Sequence, residues 1–120
     1  MLLNDFFEIM EMNGSSENKL TARVKLNEKH PIFQGHFPDN PITPGVVQIQ
    51  MVKELLEHFW KKELNLVSIS RCKFLKILNP NENPVVTFHI DISSVESNIK
   101  IGATGEIDGN TFFKMNAVYQ

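Results

Sequence analysis

The sequence predicts an α+β protein in which a curved antiparallel sheet of about six strands wraps one long central helix. Two observations carry that expectation. One stretch, from Gly45 to about Lys62, is long, rich in apolar residues and free of glycine and proline after its first residue. It is flanked by segments of β-forming residues, two before it and four after it, each bounded by turn chemistry.

The first strand opens with Phe6 to Met12, and Asn13-Gly14-Ser15-Ser16 supplies a turn. Leu20, Ala22, Val24 and Leu26 then alternate with Thr21, Arg23 and Lys25, so the two segments form a hairpin with one apolar face. From Asn27 to Thr43 three prolines and no regular period predict a long connection of defined turns, the kind of loop that often carries function. Thr43 is placed to cap the helix. Pro44 suits its first turn, where an amide hydrogen would go unsatisfied anyway. The apolar residues of the helix, from Val46 and Val47 through Met51, Leu55 and Leu56 to Trp60, cover more than one stripe, so several sides should be packed. The later strands run Leu66 to Leu78, Val85 to Ile92, Asn98 to Ile107 and Asn110 to Val118. Val86, Phe88, Ile90 and Ile92 alternate with Thr87, His89 and Asp91, and Asp108-Gly109 marks a tight hairpin.

With 120 residues, 42% hydrophobic and 22% charged, the chain has the length and balance of a single water-soluble domain over residues 1–120. A net charge of −2 argues against nucleic acid or an anionic membrane as a partner, since both need a basic excess. Cys72 has no second cysteine to pair with, which points away from an oxidising compartment and from a structural zinc, and leaves it as a buried thiol. No signal-peptide pattern and no run long enough to span a membrane are present, so a cytoplasmic location is expected. A six-stranded open sheet has edges that proteins usually pair or cover. A dimer with a continuous sheet is therefore expected, with higher assembly left open.

The chemistry concentrates in Gly35-His36-Phe37-Pro38-Asp39-Asn40-Pro41-Ile42-Thr43-Pro44-Gly45-Val46. Prolines hold the loop at low entropic cost, and an imidazole titrating near neutrality can both remove and return a proton, so His36 is the candidate acid and base. The amides of Gly45 and Val46 lie at the positive end of the helix without an intrahelical acceptor and are positioned to receive a thioester carbonyl oxygen. Stabilising an oxyanion there is worth on the order of 3 kcal/mol. Gly45 also permits close approach.

Gly35-His36-Phe37-Pro38, Pro41-Ile42 and Pro44-Gly45-Val46 resemble the signature of the bacterial 3-hydroxyacyl-(acyl-carrier-protein) dehydratases, which are hot-dog proteins. Lys73-Phe74, Pro80, Glu82, Gly105-Glu106 and Gly109 extend the resemblance more loosely from about Glu8 to Val118. The resemblance implies dehydration of a 3-hydroxyacyl thioester to a trans-2-enoyl thioester in fatty-acid-like or polyene biosynthesis, without metal or redox cofactor. It implies a phosphopantetheine arm delivered by an acyl carrier protein and sites formed at a homodimer interface. It places the catalytic histidine on His36 and the carbonyl-binding glycine on Gly45, with Phe37, Pro44 and Val46 beside the substrate. The family's acid on the central helix falls on Gln50, which can hold a hydroxyl or a water but cannot donate a carboxylic proton. Glu54 lies one turn further on the same face, where many family members have a glutamine, and is the candidate replacement.

Other residues carry plainer expectations. His30 carries no active-site preference, and His58 and His89 read as surface groups rather than metal ligands. Phe33, Phe37 and Phe59 fill the core or line an acyl tunnel. Arg71, Lys73 and Lys76, with Lys61 and Lys62, form either a solvated basic edge or a docking surface for an acidic carrier. Three functions stay open: an active dehydratase, a thioester-binding partner subunit that has lost catalysis, and a thioesterase using Glu54 or Asp39.

Overall fold

The computed structural model describes residues 1–16, 18–33, 42–82, 84–95 and 97–120. In chain order the elements are β1 (Phe7–Ser16), β2 (Lys19–Leu26), a 3-10 turn (Pro31–Phe33), helix α1 (Gly45–Trp60), β3 (Leu66–Phe74), β4 (Val85–Val95), β5 (Asn98–Ile107) and β6 (Asn110–Tyr119). All six strands join one antiparallel sheet in the order β1-β2-β4-β5-β6-β3, with β1 and β3 at its edges. This is the hot-dog arrangement that the sequence resemblance implies.

Alternation builds the core as expected. Leu20, Ala22, Val24 and Leu26 on β2 and Val86, Phe88, Ile90 and Ile92 on β4 are buried beside Met51, Val52, Leu55 and Leu56 of α1. On β6 the two-residue period breaks, because Phe112 and Phe113 are both buried. Gly105 pairs with Phe113 and Glu106 with Thr111, so Phe112 is the extra residue of a bulge and turns inward with its neighbour. A Cβ on Gly105 would stand 2.5 Å from the Phe112 ring, which is why a glycine faces the bulge. Phe88 meets both rings edge-on.

Several boundaries differ from the sequence expectation. β1 continues through Asn13-Gly14 to Ser16 instead of turning there. The Phe59 ring lies on Gly14, 2.8 Å from where a Cβ would stand, so that glycine serves a close approach between helix and strand rather than a turn. The N-cap position of α1 is Pro44 (φ −60°, ψ 147°), without a side-chain cap, and Thr43 does not cap the helix. The helix stops at Trp60, with Lys61 in the left-handed region at φ 56°, two residues before the expected end. β3 ends at Phe74 rather than Leu78, since the Leu75 and Lys76 amides turn to Phe112 O and Leu78 O accepts from the Thr43 amide.

Cys72 is half-buried on β3 rather than enclosed, and desolvation pushes its thiol pKa up. Val46 is 73% exposed, so the packed sides of α1 exclude it. They include two polar residues instead, Gln48 and Glu54. No helix among the described residues is long and apolar enough to cross a membrane.

Candidate functional site

The helix start is assembled from three segments. Pro44 sets the entry, the Thr43 amide donates to Leu78 O at 2.9 Å, and Phe74 leaves β3 to cover Gly45. A Cβ on Gly45 would stand 2.6 to 3.0 Å from three atoms of the Phe74 ring, so only glycine lets that ring lie against the first turn. Phe74 is itself held against Phe113, centroid to centroid 5.6 Å. Inside the helix, the first amides with an acceptor are those of Val47 and Gln48, both bonded to Pro44 O. Those of Gly45 and Val46 have none among the described residues. A groove of about 350 Å³ runs past Gly45, bounded also by Pro44, Gln48, Phe74, Lys76 and Leu78.

Gln50 does not share that groove. It stands five positions beyond Gly45, which turns it about 140° around the helix axis. It faces Met1, Leu3, Lys53, His58, Lys61 and Lys62 along a second groove of about 610 Å³. Its Nε2 donates to Glu54 Oε2 at 2.9 Å.

Glu54 is 1% exposed and its carboxylate is fully engaged. The Leu2 amide donates to Oε1 at 2.8 Å and to Oε2 at 3.0 Å, and the Leu3 amide to Oε1 at 2.8 Å. With Gln50 every contact is a donor, so the carboxylate acts as an acceptor that pins the N-terminal segment to the helix. His36, Phe37 and Asp39 lie outside the described residues.

The remaining histidines make local bonds. The Ile32 amide donates to His30 Nδ1 at 3.1 Å, so the hydrogen sits on Nε2, which reaches Asp5 Oδ2 at 3.1 Å. His89 bridges Glu106 Oε1 (2.8 Å) and Thr21 Oγ1 (3.4 Å) across three strands, and His58 is exposed. Among the described residues no group of three or more acidic, histidine or cysteine side chains could hold a metal ion. Arg71, Lys73 and Lys76 are exposed along β3 and just beyond it, and Lys76 stands on the rim of the Gly45 groove. Phe33 packs in the core against Phe6, and Phe59 is half-buried against β1.

Two residues of this site were not singled out by sequence. Phe74 was noted only as a loose match, and its position over Gly45 depends on a contact between distant segments. Gln48 left a readable signal: with Met51, Val52 and Leu55 it occupies the i, i+3, i+4, i+7 core face, where a polar residue needs a reason.

The sequence matches the ApeI-like dehydratase family (ApeI dehydratase) over residues 12–106. A 3-hydroxyacyl-(acyl-carrier-protein) dehydratase FabZ of Caldicellulosiruptor bescii is 30% identical over 84% of this chain and 75% of its own length. The FabZ of Caldanaerobacter subterraneus subsp. tengcongensis is 32% identical over 62% of this chain. That match spans 59% of the relative's length. Among solved structures, the dehydratase heterocomplex ApeI:P from Xenorhabdus doucetiae superposes with a TM-score of 0.68 at 20% identity, covering 92% of this chain and 95% of the other. A mutant thioesterase from Pseudomonas aeruginosa superposes with a TM-score of 0.65 at 12% identity, covering 92% and 78%. The structural likenesses carry the fold and the sequence match carries the family: the chain belongs to the ApeI-like dehydratases.

Proposed function

We propose that this protein binds 3-hydroxyacyl thioesters on an acyl carrier protein and dehydrates them to trans-2-enoyl thioesters. The observation that carries the reading is the start of α1, where the Gly45 and Val46 amides meet no acceptor among the described residues and Gly45 lines a groove together with Phe74. A thioester carbonyl oxygen accepting those amides has its adjacent carbon made more acidic. His36, on the proline-braced loop directly before that helix start, takes the proton from C2. The C3–O bond breaks, C2=C3 forms, and the proton passes to the departing hydroxyl to leave as water. Within one chain Gln50 lines a different groove from Gly45, so Gln50 of the second copy in the dimer orients that hydroxyl or water by hydrogen bonding. Phe37, Pro44 and Val46 flank the substrate, and no metal or redox group takes part.

The exposed Leu66, Val67, Ile69, Phe74, Leu75 and Ile77 along and just beyond edge strand β3 support pairing of two copies through that edge. Lys76, with Arg71 and Lys73 on the same edge, suits the acidic surface and phosphate of a carrier arm. The single domain over residues 1–120 works in the cytoplasm, in fatty-acid-like or polyene synthesis. Mass-spectrometric turnover of a 3-hydroxyacyl-carrier thioester is expected in the wild type, with a loss of about 10²- to 10⁴-fold in His36→Ala. No turnover at any acyl length overturns the dehydratase reading.

One observation favours a second reading. Gln50 is tied to Glu54, and Glu54 is engaged by four donor contacts, which supports a thioester-binding partner subunit of an active dehydratase. The similar solved dehydratase is a heterocomplex. Activity that emerges only in Gln50→Glu, or only on mixing with an active relative, selects it. The same engagement disfavours Glu54 as the water-directing carboxylate of a thioesterase, which leaves that reading to Asp39.

A further inference from the structure

Beside Gly45 the structure leaves two buried polar atoms unmatched. Gln48 is 3% exposed, and its Nε2 donates to Thr43 O at 3.1 Å while its Oε1 has no partner among the described residues. Turning the amide over would set Oε1 against that carbonyl, acceptor against acceptor, so Oε1 is the free end. Thr43 is 2% exposed. Its backbone amide and carbonyl are both bonded, yet its Oγ1 has no partner among the described residues. Both side chains line the Gly45 groove, and Gln48 stands one turn beyond Gly45 on the same face of α1.

Buried polar atoms are almost always paired, and an apolar residue at position 48 would fit the core face at no such cost. A glutamine kept there with its oxygen free is matched to something that enters the groove. Gln48 Oε1 only accepts, whereas the Thr43 hydroxyl can donate, so together they fit a group with one hydrogen-bond donor and one acceptor. Neither side chain of the pair is charged, and Lys76, which also lines the groove, is exposed at its rim, so the pair itself suits a neutral group.

We propose that Gln48 and Thr43 are substrate-binding residues that hold a neutral donor and acceptor group of the acyl thioester, seated beside the Gly45 amide. This rests on the thioester reading above. An acyl thioester of this class offers two such groups, the 3-hydroxyl of the acyl chain and the amide of the thiol arm. The first would make the pair a selector for hydroxylated acyl chains. The second would make it a register mark for the arm.

The test is calorimetric binding of four ligands to the full chain: 3-hydroxyoctanoyl and octanoyl thioesters, each of N-acetylcysteamine and of ethanethiol. Wild type is compared with Gln48→Met and with Thr43→Val, which keeps the Gln48 bond to the Thr43 carbonyl. The expected result is a loss of about tenfold in Gln48→Met, confined to the two hydroxylated ligands or to the two amide-bearing ones. The pair affected names the group. Thr43→Val should repeat the pattern with a smaller loss, and it decides the matter if Gln48→Met fails to fold. Equal losses on all four ligands, or none, overturn the proposal and leave an ordered water as the partner. Wild type that binds none of the four overturns the thioester reading too, whereas wild type that turns over substrate with variant selectivity unchanged overturns only this inference.

Discussion

The two halves of α1 each bury a polar side chain, and they treat it in opposite ways. Glu54 in the second half is a carboxylate surrounded by four donor contacts from Leu2, Leu3 and Gln50. Gln48 in the first half has its donor engaged and its acceptor free, and Thr43 beside it has a free hydroxyl. The carboxylate needs nothing further and belongs to the architecture. The unfinished pair belongs to whatever enters the groove, so satisfaction of hydrogen bonds separates scaffold from site on a single helix.

Substitutions can break that comparison. Glu54→Ala is expected to cost the most, about 3 kcal/mol, because it leaves the Leu2 and Leu3 amides without their acceptor; urea titration measures it. Thioester affinity in that variant should change little if the second half is scaffold. Gly45→Ala should cost about 2 kcal/mol, since the added methyl meets the Phe74 ring, and Phe74→Leu in the same chain should recover part of it. Gln48→Met sharpens the contrast: stability should move by less than about 1 kcal/mol, because the lost bond to Thr43 O is offset by removal of an unmatched acceptor. Lys61→Gly is expected to stabilise by about 0.5 kcal/mol, as glycine occupies the left-handed C-cap without strain.

Tyr119 gives the smallest effect at neutral pH. Its hydroxyl is buried without a partner among the described residues, so Tyr119→Phe should lie within about 0.5 kcal/mol of wild type. Burial, and then the nearby Glu57, push its pKa up from 10.0 to about 12. The folded state therefore holds the phenolic proton more tightly than the unfolded one. That contribution is complete below pH 10, and is lost as pH rises from about 10 to about 12. Denaturation midpoints over that range should fall more steeply in wild type than in Tyr119→Phe.

Periodicity made most of the fold legible. The strand alternations around Leu20 to Leu26 and Val86 to Ile92 report directly which face is buried, because the period of two is a local property. What escaped depends on pairs of distant residues. Asn13-Gly14 carries turn chemistry, yet its glycine accommodates Phe59. Phe112-Phe113 gives no sign from sequence of which one is the bulge. At the site, the proline-braced motif is local and visible, and Gln50 was read as a departure from it. Glu54 reads as a candidate acid because its donors at Leu2 and Leu3 are 52 and 51 positions away and unmarked by any pattern.

Strand order also sets a timetable for the site. Of the six strands in this sheet β6 is made last, and it lies between β5 and β3, so β3 has no neighbour in the described sheet until residues 110–119 are available. Phe74, at the end of β3, reaches its place over Gly45 only when Phe113 arrives to support it. The groove at the start of α1 is thus among the last features to close during synthesis, and a chain cut before Asn110 would carry the whole proline-braced motif without the wall that makes it a pocket.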